Sequence, residues 1–172
     1  MPTLRELSEP LRFVLPDDGV FPNSLLPVVV YQDAAGGRPA GELDAWFTRT
    51  FTTNRWLDPW KAGLYPYHHY HSTACEVLGV VSGVGLLALG GPHGVTTPVR
   101  PGDVIAIPPG VAHANPDGGL VVVGAYFEGL LPDLCTGKPG ERPDADERIS
   151  SVLSADVDPI QGVDGPLTRL WA

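Results

Sequence analysis

The chain has 172 residues, the length of one ordinary domain that buries roughly 70% of the surface its unfolded form would expose. Its formal charge is -9, and its 11 lysines and arginines form no run, which excludes the basic footprint of a nucleic-acid binder. No window approaches ~18 consecutive apolar residues, and MPTLRELSEPLRF is acidic where a secretory leader would be basic and then apolar, so the expectation is a cytoplasmic protein with no membrane partner.

In chain order, residues 1–40 read as irregular or extended, with turns at Pro16 to Gly19 and at Gly36-Gly37 and one strand, LLPVVVY, from Leu25 to Tyr31, placed at a sheet edge because Pro27 interrupts it. ELDAWFTRTF follows, with Leu43, Trp46, Phe47 and Phe51 at helical spacing; this predicts a short helix whose aromatic face packs on the core. From Trp60 to about Phe127, YPYHHYH, EVLGVVS, VGLLALG, VTTPV, DVIAIP and GLVVVGAYF are β-prone segments separated by Gly or Pro, the pattern of an antiparallel sandwich or barrel. The tail from Pro132 reads as a covering arm in which RISSVL and PLTRLW pack on the outside. The expected organisation is a single domain, 1–172, with a barrel core at about 60–128, an N-terminal arm and helix at 1–59 and a covering segment at 129–172.

Within YPYHHYH, strand alternation puts His69 and His71 on one face with Tyr65 and Tyr67, and turns His68 and Tyr70 away. Glu76 heads the next strand with Leu78 and Val80 as face-mates, where a carboxylate is costly unless it meets a cation. His113 arrives just after the turn that closes DVIAIP and is a candidate fourth ligand. Cys75 and Cys135 form no CxxC, which argues against a disulfide framework and against a thiolate zinc site.

These positions match a known pattern. Gly63, His69, His71, Glu76 and Gly83 reproduce the spacing GX5HXHX3-4EX6G, and Gly102, Pro108, Gly110 and His113 reproduce GX5PXGX2H, the two motifs of the cupin superfamily; Asp117 stands where the second motif ends in asparagine. The resemblance implies an all-β double-stranded β-helix, a jelly-roll barrel, with His69, His71, Glu76 and His113 around one divalent metal. YPYHHYHSTACEVLGV, GGPHG, GDVIAIPPGVAH and DPIQGVDGPL further resemble the YjlB-like group of single-domain bacterial cupins, a likeness that brings no substrate with it.

Imidazoles and a carboxylate suit iron, manganese, nickel or zinc, and four protein ligands leave positions for water, dioxygen or a chelating substrate. The leading expectation is a metal-dependent enzyme acting on a small oxygen-rich molecule by oxygenase, isomerase or lyase chemistry, with Tyr67 as the catalytic candidate beside the metal. Two other readings stand beside it: a non-catalytic module that binds a sugar or metabolite at the metal, and a metal-free barrel whose histidines are hydrogen-bonded interior groups. A homodimer is expected, because such barrels leave sheet edges and apolar outer faces to be covered.

Overall fold

A computed structural model describes residues 7–172, so the first six residues of the acidic N-terminus lie outside it. The strands are β1 Leu11–Leu15, β2 Ser24–Tyr31, β3 Trp56–Gly63, β4 Glu76–Ser82, β5 Gly85–Leu89, β6 Val95–Val99, β7 Val104–Ile107, β8 His113–Ala114 and β9 Val121–Phe127; the helices are α1 Ala40–Thr53, α2 Asp144–Ser151 and α3 Pro166–Leu170. Six strands form one sheet in the order β1-β2-β7-β4-β9-β3 and three form another, β6-β5-β8, with antiparallel pairing throughout. This is the expected jelly-roll barrel.

Period-2 alternation assigns the faces. Val28 and Val30 of β2, Leu78 and Val80 of β4, Ile105 and Ile107 of β7 and Val122 of β9 meet Leu87 and Leu89 of β5 in one buried cluster between the sheets. Their sequence neighbours Val29, Tyr31, Val77, Val104, Ala106, Val123 and Phe127 point the other way, into a second cluster with Leu43, Phe47 and Phe51 of α1 and Trp171 at the C-terminus. The central strands of the large sheet, β2, β7, β4 and β9, are therefore buried on both faces, which is why they read as nearly continuous apolar runs. The aromatic face of the predicted helix packs as expected, and Gly79 makes room for it: a Cβ there would lie 2.6 Å from the Phe47 ring. The tail seals the same face, with Trp171 Nε1 donating to the Pro27 carbonyl at 2.8 Å and Trp56 Nε1 donating to that of Val157 at 2.9 Å.

Three expectations change. β2 lies inside the sheet, between β1 and β7, and not at an edge; Pro27 is tolerated because β7 pairs only with Val29, Val30 and Tyr31 and the β1 register skips it. β1 and β2 are thus both strands of the large sheet. YPYHHYH is not a continuous strand: the strand of this region is β3, upstream, and after Gly63 the chain bends at Pro66 and Tyr67 and regains pairing only as isolated bridges at His69 and Tyr70. Proline has no N–H to give a ladder there. Finally, α2 and α3 add to the one helix expected. Asp144, Asp146 and Glu147 suit the positive end of the α2 dipole, and Pro166 opens α3 at a position that needs no N–H donor.

Candidate metal centre

Glu76 opens β4 on its inward face, paired across the large sheet with Ile107 on one side and Tyr126 on the other. His113 lies in β8 of the small sheet, beside Leu89 of β5. His69 extends that sheet: its N–H donates to the His113 carbonyl at 3.2 Å, and the His113 N–H donates back at 2.9 Å. The His71 carbonyl accepts from Gly110 N–H at 2.8 Å. The two sequence motifs are laced together by these backbone bonds, and the four side chains project into one end of the space between the sheets.

Gly83, which ends the first motif, has a steric reason. Gly83 has φ +85°, and a Cβ on it would lie 2.2 Å from the Gly119 carbonyl oxygen. Only glycine fits such a site, because it combines positive φ with direct backbone contact.

All four side chains are buried, and their orientation is set by the backbone. Nδ1 of His69 faces the Tyr67 carbonyl at 3.1 Å, Nδ1 of His113 faces that of Val111 at 3.0 Å, and Nδ1 of His71 faces that of Asp133 at 2.5 Å. A carbonyl only accepts, so in each neutral ring Nδ1 carries the proton and Nε2 presents a bare lone pair. The three rings offer nitrogens within 4.8 Å of one another. The Glu76 carboxylate sits 3.3 Å from Nε2 of His71 and 3.1 Å from Nε2 of His113. Lone pairs thus face lone pairs, and both Glu76 Oε1 and His113 Nε2 are buried without a hydrogen-bond partner. A cation between the groups would relieve this arrangement, and three imidazoles beside a carboxylate are a donor set that would suit a divalent transition ion.

The electrostatics agree. Burial, with the neighbouring His113, pushes His69 down to about 3, which keeps it neutral and available as a donor. Burial opposes the charge on Glu76 too, but His71 and His113 outweigh it and hold the carboxyl below the usual range. For His71 burial works downward and the Glu76 charge upward, and the carboxylate wins, so its pKa is raised.

A cavity of about 370 Å³ opens onto His69, His71 and Glu76, while His113 lies buried behind them, its ring 4.2 Å from that of His69. Trp60, Leu64, Tyr65 and Tyr126 line it, and Pro132 and Leu134 close one side. The C-terminal segment is therefore more than a cover. It supplies the carbonyl that orients His71, and the Asp133 carboxylate accepts from Ser72 N–H at 2.6 Å and pairs with Arg148 Nε at 3.4 Å. Sequence reasoning missed Asp133, because nothing local marks it. It also missed Tyr126, although Val122, Gly124 and Tyr126 alternate onto one face of β9; only the pairing with β4 puts that face opposite Glu76. Burial, reinforced by the Glu76 charge, raises the Tyr126 phenol far above its ordinary value.

Tyr67 is placed differently from expectation. Its side chain is 44% exposed, stacks on Tyr65 at 4.8 Å between ring centroids and is not part of the cavity lining. Alternation does put it on the His69 side, with 5.9 Å between the ring centroids, but outside the cavity lining. What Tyr67 contributes is its backbone carbonyl, on His69 Nδ1. Tyr67→Phe is accordingly expected to leave metal content unchanged and to alter stability by less than about 0.5 kcal/mol, as read by elemental analysis and thermal melting. His68 does turn away, as alternation indicated, and rests half-buried near the Phe21 ring, 6.1 Å between centroids.

Residues 60–116 match the model of the cupin domain family. Over 168 residues, 95% of this chain and 97% of the other, the sequence is 37% identical to YjlB of Bacillus subtilis (strain 168), a protein described as uncharacterized. The chain belongs to the cupin family. Among solved structures, this cupin is similar to acireductone dioxygenase from Bacillus anthracis with a cadmium ion in its active centre, at 17% identity over 62% of this chain and 82% of that one, with a TM-score of 0.41. It is also similar to a cupin-like protein from Thermotoga maritima, at 20% identity over 69% and 84% of the two chains, with a TM-score of 0.37. Likenesses this loose add nothing about the site; the cupin assignment rests on the family match, the bacterial relative and the barrel itself.

Proposed function

We propose that this cupin binds one divalent transition metal per chain through Nε2 of His69, His71 and His113 and the carboxylate of Glu76, and uses it as a Lewis acid or dioxygen-binding centre on a small molecule that ligates the metal through oxygen. The observation that carries this reading is the convergence of three backbone-oriented Nε2 lone pairs on a buried carboxylate whose Oε1 lacks a hydrogen-bond partner. The ion would supply charge stabilisation for an oxyanion developing on the bound molecule. The chain's own residues do the rest. The carbonyls of Tyr67, Val111 and Asp133 keep the imidazoles in one tautomer, and the apolar wall of the cavity limits water around the bound molecule.

A non-catalytic sugar-binding module is less well supported, because the cavity wall has no amide or cationic side chain to satisfy a buried polyol. The working protein is read as a single-domain, cytoplasmic homodimer without nucleic-acid partners. The support is the unpaired outer edge of β1, where Leu11 and Val14 are exposed, the two free buried cysteines and the negative net charge. Among the described residues no helix is long and apolar enough to cross a membrane.

Elemental mass spectrometry of protein purified without chelator tests the proposal, beside a variant carrying His69→Ala and His71→Ala. About one equivalent of a transition metal, lost in the variant, is expected. Absence of metal from both proteins after reconstitution would overturn the reading and leave a barrel whose histidines serve structure alone.

A further inference from the structure

The cavity is chemically lopsided. At its inner end stand His69, His71 and Glu76, with His113 buried behind them; its walls are aromatic and aliphatic, with Trp60 stacked on Tyr126 at 6.5 Å between centroids and Leu64, Pro132 and Leu134 nearby. The polar groups of the wall itself are the phenols of Tyr65 and Tyr126 and the carboxylate of Asp133, and among the described residues no lysine or arginine lines the cavity. Asp133 is already engaged by Ser72 and Arg148, so its charge is balanced outside the ligand space. Gly124 is part of this design. A Cβ there would lie 2.2 Å from Trp60 Cζ2, so glycine lets the indole lie flat against β9 and leaves the cavity open.

The charge of the inner end then selects the ligand. Three neutral imidazoles and one carboxylate around a dication sum to one positive charge, which a single negative charge neutralises. A dianion would leave an excess negative charge facing apolar walls, with no cationic side chain to receive it. A ligand without an apolar body would leave the aromatic wall against water. The volume, about 370 Å³, suits a molecule of roughly a dozen heavy atoms.

Resting on the metal reading above, we infer that the site takes a singly charged oxygen chelator with an apolar, preferably aromatic, body, such as a 2-oxo or 2-hydroxy acid or an enolate bearing a hydrophobic substituent. Oxygen is thus concentrated at one end of the ligand, which narrows the oxygen-rich molecule expected from the sequence.

The test uses the full chain loaded with Co²⁺, whose visible bands report the metal environment without any turnover. Phenylpyruvate, pyruvate and 2-oxoglutarate are titrated into it under argon; they share one chelating group and differ in body and charge. Phenylpyruvate is expected to bind about tenfold tighter than either of the others. In Leu134→Arg, which puts a cation on a half-exposed position of the cavity rim, the 2-oxoglutarate affinity is expected to rise about tenfold. Equal or tighter binding of the dianion by the unaltered protein, or no gain from the phenyl group, would overturn the inference while leaving the metal site intact. Failure of Co²⁺ to develop a protein-bound spectrum would instead overturn the metal reading, and this inference with it.

Discussion

Removing the metal is expected to lower the thermal midpoint by roughly 10 °C, and Glu76→Gln is expected to abolish that difference. An ion held at a thousandfold excess over its dissociation constant adds about 4 kcal/mol to the folded state, and for a chain of this length each kcal/mol moves the midpoint by about 2 to 4 °C. Glu76 supplies the one negative charge of the donor set, and a neutral amide coordinates a dication far less well. The apoproteins should behave in the opposite way. Without metal, and at a pH above the folded His71 pKa, the wild-type carboxylate faces imidazole lone pairs and leaves Oε1 and His113 Nε2 unpaired, whereas a glutamine N–H can donate to that nitrogen. Apo Glu76→Gln should therefore melt at or above apo wild type. If it melts well below, the carboxylate is satisfied without a cation and the metal-site argument loses its physical basis.

The same groups set the direction of the pH dependence. His71 has a raised folded pKa in the metal-free protein, through Glu76 against the pull of burial, so its contribution is complete below about 6.5, the ordinary histidine value, and is lost as pH rises through the folded pKa. His69 has the opposite shift. It stays neutral in the fold down to about 3 while the unfolded chain protonates near 6.5, so stability falls as pH drops through that window. The lowered Glu76 pKa adds to the loss on the acid side below about 4.5. Metal replaces the His71 proton and requires all three imidazoles neutral, so the gap between holo and apo midpoints should be wider at pH 8 than at pH 6. Differential scanning calorimetry at the two pH values, with and without a chelator, checks the sign.

Gly110→Ala is expected to cost about 2 to 4 kcal/mol, through left-handed backbone strain and overpacking together, and to weaken the metal site with it. Gly110 has φ +93°, and a Cβ would lie 2.5 Å from the Asn23 carbonyl oxygen. That oxygen cannot retreat freely, because its own residue is held from several sides: Asn23 N–H donates to the Gly110 carbonyl at 2.9 Å, and Asn23 Oδ1 accepts from Ala112 N–H at 3.1 Å. Gly110 N–H in turn donates to the His71 carbonyl at 2.8 Å. Displacing this turn moves the backbone of His71 and the approach to His113 together, so the stabilisation by metal should shrink as the fold weakens. Gly118→Ala is the control. Gly118 also has positive φ, +72°, but a Cβ there meets nothing within 4 Å, so the change costs backbone strain alone, about 1 kcal/mol. Equal losses in the two variants would show that contact with the Asn23 carbonyl is unimportant.

Spacing and alternation along the chain were sufficient to indicate the barrel, the aromatic helix and the four convergent side chains, because each of these signals is local: a period of two puts Glu76 with Leu78 and Val80, a period of 3.6 puts Phe47 with Leu43 and Phe51, and the motif glycines mark turns. Local pattern was a poor guide where pairing partners are distant. Whether LLPVVVY lies at an edge depends on a β7 register that skips Pro27, and whether YPYHHYH forms a strand depends on a bend after Gly63 that removes the segment from a ladder. Tyr126 and Asp133 enter the site only through long-range contacts, one across β4 and the other by the C-terminal segment folding back more than sixty positions onto His71. The sequence by itself thus determined the donor types and their order along the strands. Tertiary structure alone decided the direction of each lone pair, because that direction is set by carbonyls held in place elsewhere in the fold, and it alone decided the largely apolar wall that the imidazoles and Glu76 face.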